Sequence, residues 1–219
     1  MIIAQETIYF GPQQLILTNQ RALCWERQQM LVLSDLHLGK AAHFRKHGIA
    51  LPAQLSVDDL QRLEDLVLHF NPRYVLIVGD LVHAGANSEV ALLGKFTARF
   101  PGVDFLLVKG NHDRFPLELL SELGISAVYD ELVVDGLHFI HHPQQHIPGR
   151  YTISGHLHPG VSVRMPNKRI LNFPCYAVTE AQLILPAFAK FTGTDTRSVP
   201  RPALCYALYE TGIFEVSIG

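Results

Sequence analysis

Five short apolar runs in this chain end in the same kind of residue cluster. Met30–Ser34 leads into Asp35-Leu36-His37, and Tyr74–Val78 into Gly79-Asp80 with His83 just after. Asp104–Val108 leads to Gly110-Asn111-His112-Asp113, Leu137–Ile140 to His141-His142-Pro143, and Tyr151–Ser154 to Gly155-His156-Leu157-His158. Apolar runs this short read as buried strands rather than helices. Helical patterns separate the first three. Ser56–Phe70 places Leu60, Leu63, Val67 and Phe70 on one face, with Ser56 and Asp59 spaced as a capping box. Asn87–Phe100 turns Val90, Leu93, Phe96 and Phe100 inward, and Pro116–Leu123 is a short helix stopped by Gly124.

Strand and helix in alternation predict parallel strands covered by helices. Elsewhere the pattern is all-β. Thr7–Phe10, Gln14–Leu17 and Arg21–Glu26 precede the alternating part. Ile125–Tyr129, Glu131–Val134, Val161–Met165, Lys168–Asn172, Ala203–Tyr209 and Ile213–Ile218 follow it, with hairpin signals at Asp135-Gly136 and Pro166-Asn167. Both patterns are satisfied by an α/β fold of four layers, α-β-β-α: two mixed sheets packed together with helices outside. A length of 219 residues suits one domain spanning 1–219.

In open α/β sheets the carboxyl ends of the strands converge on one edge, where ligands bind. The five clusters fall there. All twelve histidines lie between His37 and His158, a confinement that uniform scatter rarely produces. Asp and His alternating as D-x-H or H-x-H present two side chains on one side of an extended backbone. Glycines at 79, 110 and 155 allow sharp turns and close approach. A pair of divalent ions needs one bridging carboxylate and further N and O donors on each ion. Mixed N and O ligation suits manganese, zinc or iron(II) better than magnesium or calcium.

The remaining composition excludes several classes. A net charge of −2 argues against a DNA-coating protein, and no apolar run approaches a membrane span. Cys24, Cys175 and Cys205 sit in apolar stretches without C-x-x-C spacing, which predicts buried reduced thiols and a cytoplasmic location.

The ordered set D-x-H, G-D, G-N-H-D, H and G-H-x-H resembles the calcineurin-like metallophosphoesterase superfamily over roughly residues 30–160. The resemblance implies that Asp35, His37 and His158 ligate one metal, that Asp80 bridges, and that Asn111, His141 and His156 ligate the other. Related enzymes with His-x-Pro here use the first His, which favours His141; His142 is the alternative. It also implies that His112 faces the substrate phosphate. A hydroxide held between two metals, manganese first with zinc or iron(II) as alternatives, attacks phosphorus in line while His112 helps the leaving oxygen depart.

Departures from the superfamily's branches narrow the substrate. Protein phosphatases of the superfamily carry an Asp and a phosphate-gripping Arg where this chain has His83 and Ala84. Double-strand-break repair nucleases of the superfamily have a His at the position of His83, which points to a phosphodiester. His83 reads either as a catalytic residue or as support for His112. Residues Ser34–Pro52, which include His43, Arg45, Lys46 and His47, and the segment Leu185–Gly193 resemble the bacterial ligase-associated DNA-damage-response metallophosphoesterase family, PdeM. That resemblance implies a DNA endonuclease in repair, with a helicase-like protein and a DNA ligase as partners. His43, Arg45, Lys46 and His47 read as a substrate-phosphate grip or as a solvated basic turn. The alternatives are an enzyme of small nucleotides, such as cyclic nucleotides, and a non-catalytic scaffold. His69, His138, His142 and His146 read as surface or packing histidines, and the oligomeric state is open.

Overall fold

A computed structural model describes residues 1–52, 54–83, 88–144 and 149–219. Ala84, Gly85, Asn87 and His146 lie outside the described residues. The chain opens with three antiparallel strands, β1 (Gln5–Phe10), β2 (Gln13–Thr18) and β3 (Leu23–Trp25). They join β4 (Met30–Leu33), β5 (Tyr74–Val78), β6 (Asp104–Val108) and β7 (Ile125–Tyr129) in one seven-stranded sheet ordered as in the sequence. Strands β4 to β7 run parallel. Their crossovers contain helices α1 (Lys40–Lys46), α2 (Leu55–Phe70), α3 (Ser88–Thr97) and α4 (Leu117–Glu122).

The second sheet takes β8 (Leu132–Val134), β9 (Leu137–Phe139), β10 (Tyr151–Ser154), β11 (Gly160–Arg164), β12 (Ile170–Val178), β13 (Gln182–Ile184), β14 (Ala203–Tyr209) and β15 (Gly212–Ile218). Its order is β15-β14-β12-β13-β10-β9-β8, with β11 paired to β12. Strands β9, β10 and β13 are parallel, and the rest pair antiparallel. Both sheets are therefore mixed, as the pattern predicts, and the pair is flanked by the four helices in the crossovers of the first. The residues after His158 complete the second sheet.

Apolar alternation explains the layering. Leu31, Leu33, Val75, Ile77, Phe105 and Leu107 face the helices, against Leu60, Leu63, Val67, Val90, Leu93 and Phe96. Val32, Leu76, Val78 and Val108 face the other way and pack on Phe139, Ile153, Tyr176 and Leu183 of the second sheet. A smaller cluster, with Val161, Cys175, Ala177, Val199 and Cys205, covers the second sheet's outer face. All three cysteines are buried and free, as expected.

Three local expectations are corrected. Ser56 and Asp59 do not form a capping box. The helix begins at Leu55, Ser56 Oγ donates to Glu89 at 2.8 Å, and Asp59 is taken by Arg62 at 2.7 Å. Long-range partners outcompete the local cap. The strand expected at Lys168–Asn172 runs as Ile170–Val178, past Pro174, because Pro174 pairs toward β11 at Gly160. Strand β13 was not expected, being only three residues long and beginning with a glutamine. Among the described residues no helix is long and apolar enough to cross a membrane.

Candidate metal centre

The loops after β4 and β5 continue to pair beyond their strands. Asp35 N–H donates to Gly79 O (3.0 Å), His37 N–H to Asp80 O (2.9 Å), and His83 N–H to Leu38 O (2.9 Å). From the second sheet, Gly155 N–H donates to His141 O at 3.1 Å. The backbone is not extended here, contrary to expectation. Asp35 (φ 56°), His37 (49°), Asp80 (50°), His156 (68°) and His158 (48°) are left-handed. Each such residue costs roughly 1–3 kcal/mol, about what burying one leucine or valine returns. The cost is met because these left-handed turns, not a pleat, aim both side chains of D-x-H and H-x-H at one point.

Three glycines allow the elements to close. A Cβ on Gly79, itself at φ +82°, would overlap the His141 ring. One on Gly110 would overlap the Asp80 carboxylate and backbone nitrogen, and one on Gly155 would stand 2.6 Å from Asp35 Oδ2.

The side chains then meet. Asp35, His37 and His158 form one contiguous donor group, Asp35, Asp80 and His141 a second, and His141, His142 and His156 a third. His37 and His158 approach Nε2 to Nε2 at 3.2 Å, and His156 Nδ1 lies 3.3 Å from His141 Nε2. Two nitrogens bound at 2.0–2.1 Å to one tetrahedral ion stand about 3.3 Å apart, so this donor set fits two divalent ions. His141 Nδ1 donates to Val78 O at 3.0 Å, which leaves Nε2 facing Asp80 Oδ1 at 3.5 Å. His141 is buried and turned inward, whereas His142 is exposed and lies over the His156 ring at 4.0 Å. Asn111 is exposed on the loop that Gly110 lays against Asp80.

Charge follows this packing. Burial pushes the Asp35 carboxyl up, but the hydrogen bond and charge of His158, with His141 and His37 behind it, hold it below the usual carboxylate range. Burial likewise opposes Asp80, yet His141 and the His112 N–H hold it low. Burial and then Lys40 push His37 down to about 3. His141 is raised: burial works against this, and Asp80 and Asp35 overcome it. Ionised Asp35 and Asp80 with a His37 that resists protonation suit a divalent ion, and His141 gives up its proton when one binds.

Beside the donors stands His112, whose backbone N–H donates to Asp80 Oδ1 at 3.0 Å and whose side chain is 40% exposed. His83 packs on it, ring centroids 4.6 Å apart, and touches His37 (5.5 Å) and His43 (6.0 Å). Burial and then His112 push His83 down to about 4. His43 and His47 are exposed and adjacent, at 4.4 Å, as their helical spacing predicts. Lys46 is exposed too. Arg45 is placed differently: its guanidinium pairs with Glu89 and Pro52 O, so it serves the loop rather than the open face.

Lys40 and Asp113 were not singled out beforehand. Lys40 is half-buried and its charge acts on His37 and His83. Asp113 accepts the N–H groups of Gly110 (2.9 Å) and Val82 (3.1 Å), bracing the loop that carries His112. Its position next to His112 in the Gly-Asn-His-Asp run was the available signal.

Two mixed sheets whose parallel strand ends gather this donor set define a metal-dependent phosphoesterase. The calcineurin-like phosphoesterase profile matches residues 29–172, and the chain belongs to that family. Among solved structures it is similar to the Pseudomonas putida nuclease MPE, with 26% identity, a TM-score of 0.78, and coverage of 93% of this chain and 96% of that one. It also matches Yfce, a phosphoesterase from E. coli, with 14% identity and a TM-score of 0.43 over 87% of this chain and 99% of that one. Comparison with curated protein sequences gives no match.

Proposed function

We propose that the chain, acting as one unit over residues 1–219, is a divalent-metal-dependent phosphodiesterase that cleaves DNA in repair. The observation that carries this reading is the pairing of imidazole nitrogens at 3.2 and 3.3 Å around Asp35 and Asp80, beside an exposed His112. Support for a nucleic-acid substrate comes from the likeness to the P. putida nuclease over 93% of this chain. The motifs shared with the ligase-associated family point the same way.

In this reading Asp35, His37 and His158 hold one ion and Asn111, His141 and His156 the other, with Asp80 shared. Bound divalent ions supply Lewis-acid charge at the phosphoryl oxygens and a water of lowered pKa. The protein's part is orientation and proton handling. Val78 O fixes the His141 tautomer, a partner of the kind that raises ligand basicity. His112, tethered by its backbone to Asp80, presents an exposed ring to the phosphoester and gives a proton to the leaving oxygen. His83 orients that ring from behind. His43, Lys46 and His47 meet flanking phosphates on the open face, and Arg45 holds their helix.

The mixed N and O donor set supports manganese as the metal, with zinc or iron(II) as alternatives. A cytoplasmic location and the helicase-like and ligase partners rest on composition and family resemblance. The test is plasmid nicking set beside turnover of a generic aryl phosphodiester, each with manganese and after chelation. Metal-dependent nicking is expected. Intact DNA with rapid turnover of the small diester would pass the site to small phosphodiesters such as cyclic nucleotides.

A further inference from the structure

The segment after β13, Leu185-Pro-Ala-Phe188-Ala-Lys190, carries none of the donors, yet it joins the two sheets at the metal centre. Leu185 N–H donates to Ser154 O at 2.7 Å, at the end of β10. Phe188 N–H donates to Ser34 O (2.8 Å) and Ala189 N–H to Asp35 O (3.2 Å), at the end of β4. Two arginines hold its carbonyls. Arg21 Nη1 donates to Ala187 O (3.1 Å) and Ala189 O (3.0 Å). Arg62, 3% exposed on α2, donates to Phe188 O and lies 4.1 Å over the Phe188 ring. Its other arm donates to Asp59 at 2.7 Å, and Asp59 in turn accepts Lys190 N–H at 3.3 Å.

Three successive carbonyls, 187 to 189, are thus taken by guanidinium groups. We infer that Arg21 and Arg62 are positioning residues for the metal centre. They fix the Ala187–Lys190 segment, and through its N–H groups they hold Asp35 in the left-handed conformation that aims its carboxylate at His156 and His158. A strained backbone of this kind persists only where its surroundings over-determine it. Asp35 has two such backbone ties, Gly79 O on its nitrogen and Ala189 N–H on its carbonyl. Lysine cannot replace Arg62, because a point charge neither spans Asp59 and Phe188 O nor stacks on the ring as a planar fork does. At Arg21, where one guanidinium nitrogen holds both carbonyls, the shorter lysine stem falls short of them.

This inference rests on Asp35 being a metal ligand, so the experiment separates the two. Metal-stripped full-length protein is titrated calorimetrically with Mn²⁺, as wild type and as Arg21→Lys, Arg62→Lys, Arg62→Met, Asp35→Asn and Leu93→Ala. Circular dichroism and Tm are recorded for each. Leu93, on α3, is buried in the core between the helices and the first sheet and its side chain makes no hydrogen bond to any donor, so its variant controls for a general loss of stability. Arg21→Lys and the folded Arg62 variant are expected to bind Mn²⁺ about 10-fold or more weakly, within the range seen for lost outer partners of ligands. Raising Mn²⁺ should restore their turnover. Leu93→Ala should lose Tm but keep its Mn²⁺ affinity. Folded arginine variants with wild-type affinity, beside an Asp35→Asn protein that has lost it, would overturn the positioning role. So would a Leu93→Ala protein that loses as much affinity as they do. An Asp35→Asn protein with wild-type affinity would instead remove the ligand reading on which the inference stands.

Discussion

His37 and His158 point their Nε2 atoms at each other across 3.2 Å, and the same His158 nitrogen stands 3.1 Å from Asp35 Oδ1. Only one proton can sit between two such nitrogens, so without metal one imidazole must donate and the other accept. A divalent ion satisfies both lone pairs and the carboxylate together. Metal should therefore stabilise the fold, by about 2.7 kcal/mol at a free concentration one hundred times its dissociation constant. Thermal melts with and without Mn²⁺ should show the rise in Tm, and chelation should reverse it. His158→Ala removes a ligand of one ion and leaves the other's set intact, so its Tm should rise less on Mn²⁺ addition, whereas a full wild-type rise would contradict the assignment.

Gly79→Ala should be among the most damaging one-carbon changes in the chain. The new methyl would meet the His141 ring, and the residue would sit at φ +82°. Strain at a left-handed site is roughly 1–2 kcal/mol for a non-glycine residue, and the ring must move as well. Displacing the ring breaks its bond to Val78 O. Activity should fall with stability, and added metal should recover little of it. Gly136→Ala is the comparison: its φ is +83° but nothing stands near its Cβ, so it should cost stability alone.

Much of this arrangement was legible because apolar runs announce buried strands, and the Asp and His residues at their ends announce convergence on one edge. Tyr74–Val78, Asp104–Val108 and Tyr151–Ser154 match their observed bounds for that reason. The geometry of convergence was not legible. An extended D-x-H is the simplest backbone for two side chains on one side, but the five left-handed residues depend on hydrogen bonds between loops far apart in the chain. The same distance hid Arg62, whose partner Phe188 lies 126 residues away, and turned Ser56 from a cap to Glu89. Arg45 looked like a free cation because Glu89 is 44 residues away.

His112 and His83 should separate kinetically. His112 is exposed and touches the donor set through its backbone N–H, so His112→Asn leaves that bond in place. Loss of a general acid typically costs 10²–10⁴-fold. His112→Asn is therefore expected to lower kcat by about that much with Mn²⁺ affinity unchanged. His83→Asn, removing a ring that packs on His112 at 4.6 Å, should cost less, with its loss also in kcat. A diester whose leaving group needs no proton should lessen the His112 defect. Equal defects on good and poor leaving groups would rule out proton donation.

The pH dependence of the metal-free protein follows from its histidines. Burial holds His37 down to about 3 and His83 down to about 4, and burial with His142 lowers His156. In the unfolded chain each titrates near 6.5. As pH falls below that value the unfolded state takes up protons that the folded state refuses, so stability declines with falling pH. His141 acts in the opposite sense: its folded value is raised, and its contribution is present below 6.5 and lost as pH rises through that raised value. His37 and His83 carry the largest of these shifts and outweigh His141 together with Asp59 and Asp113, two carboxyls that burial raises and that act in the same sense as His141. Asp35 and Asp80, both held low, add a further loss only below the ordinary carboxylate range. The urea midpoint of the chelated protein should thus fall steadily from pH 7.5 to pH 5, before any carboxylate of ordinary pKa protonates. His83→Gln should make that slope shallower, because it removes one of the three refusals. A midpoint that is flat, or rises, over this interval would show that the buried histidines take up their protons in the folded state.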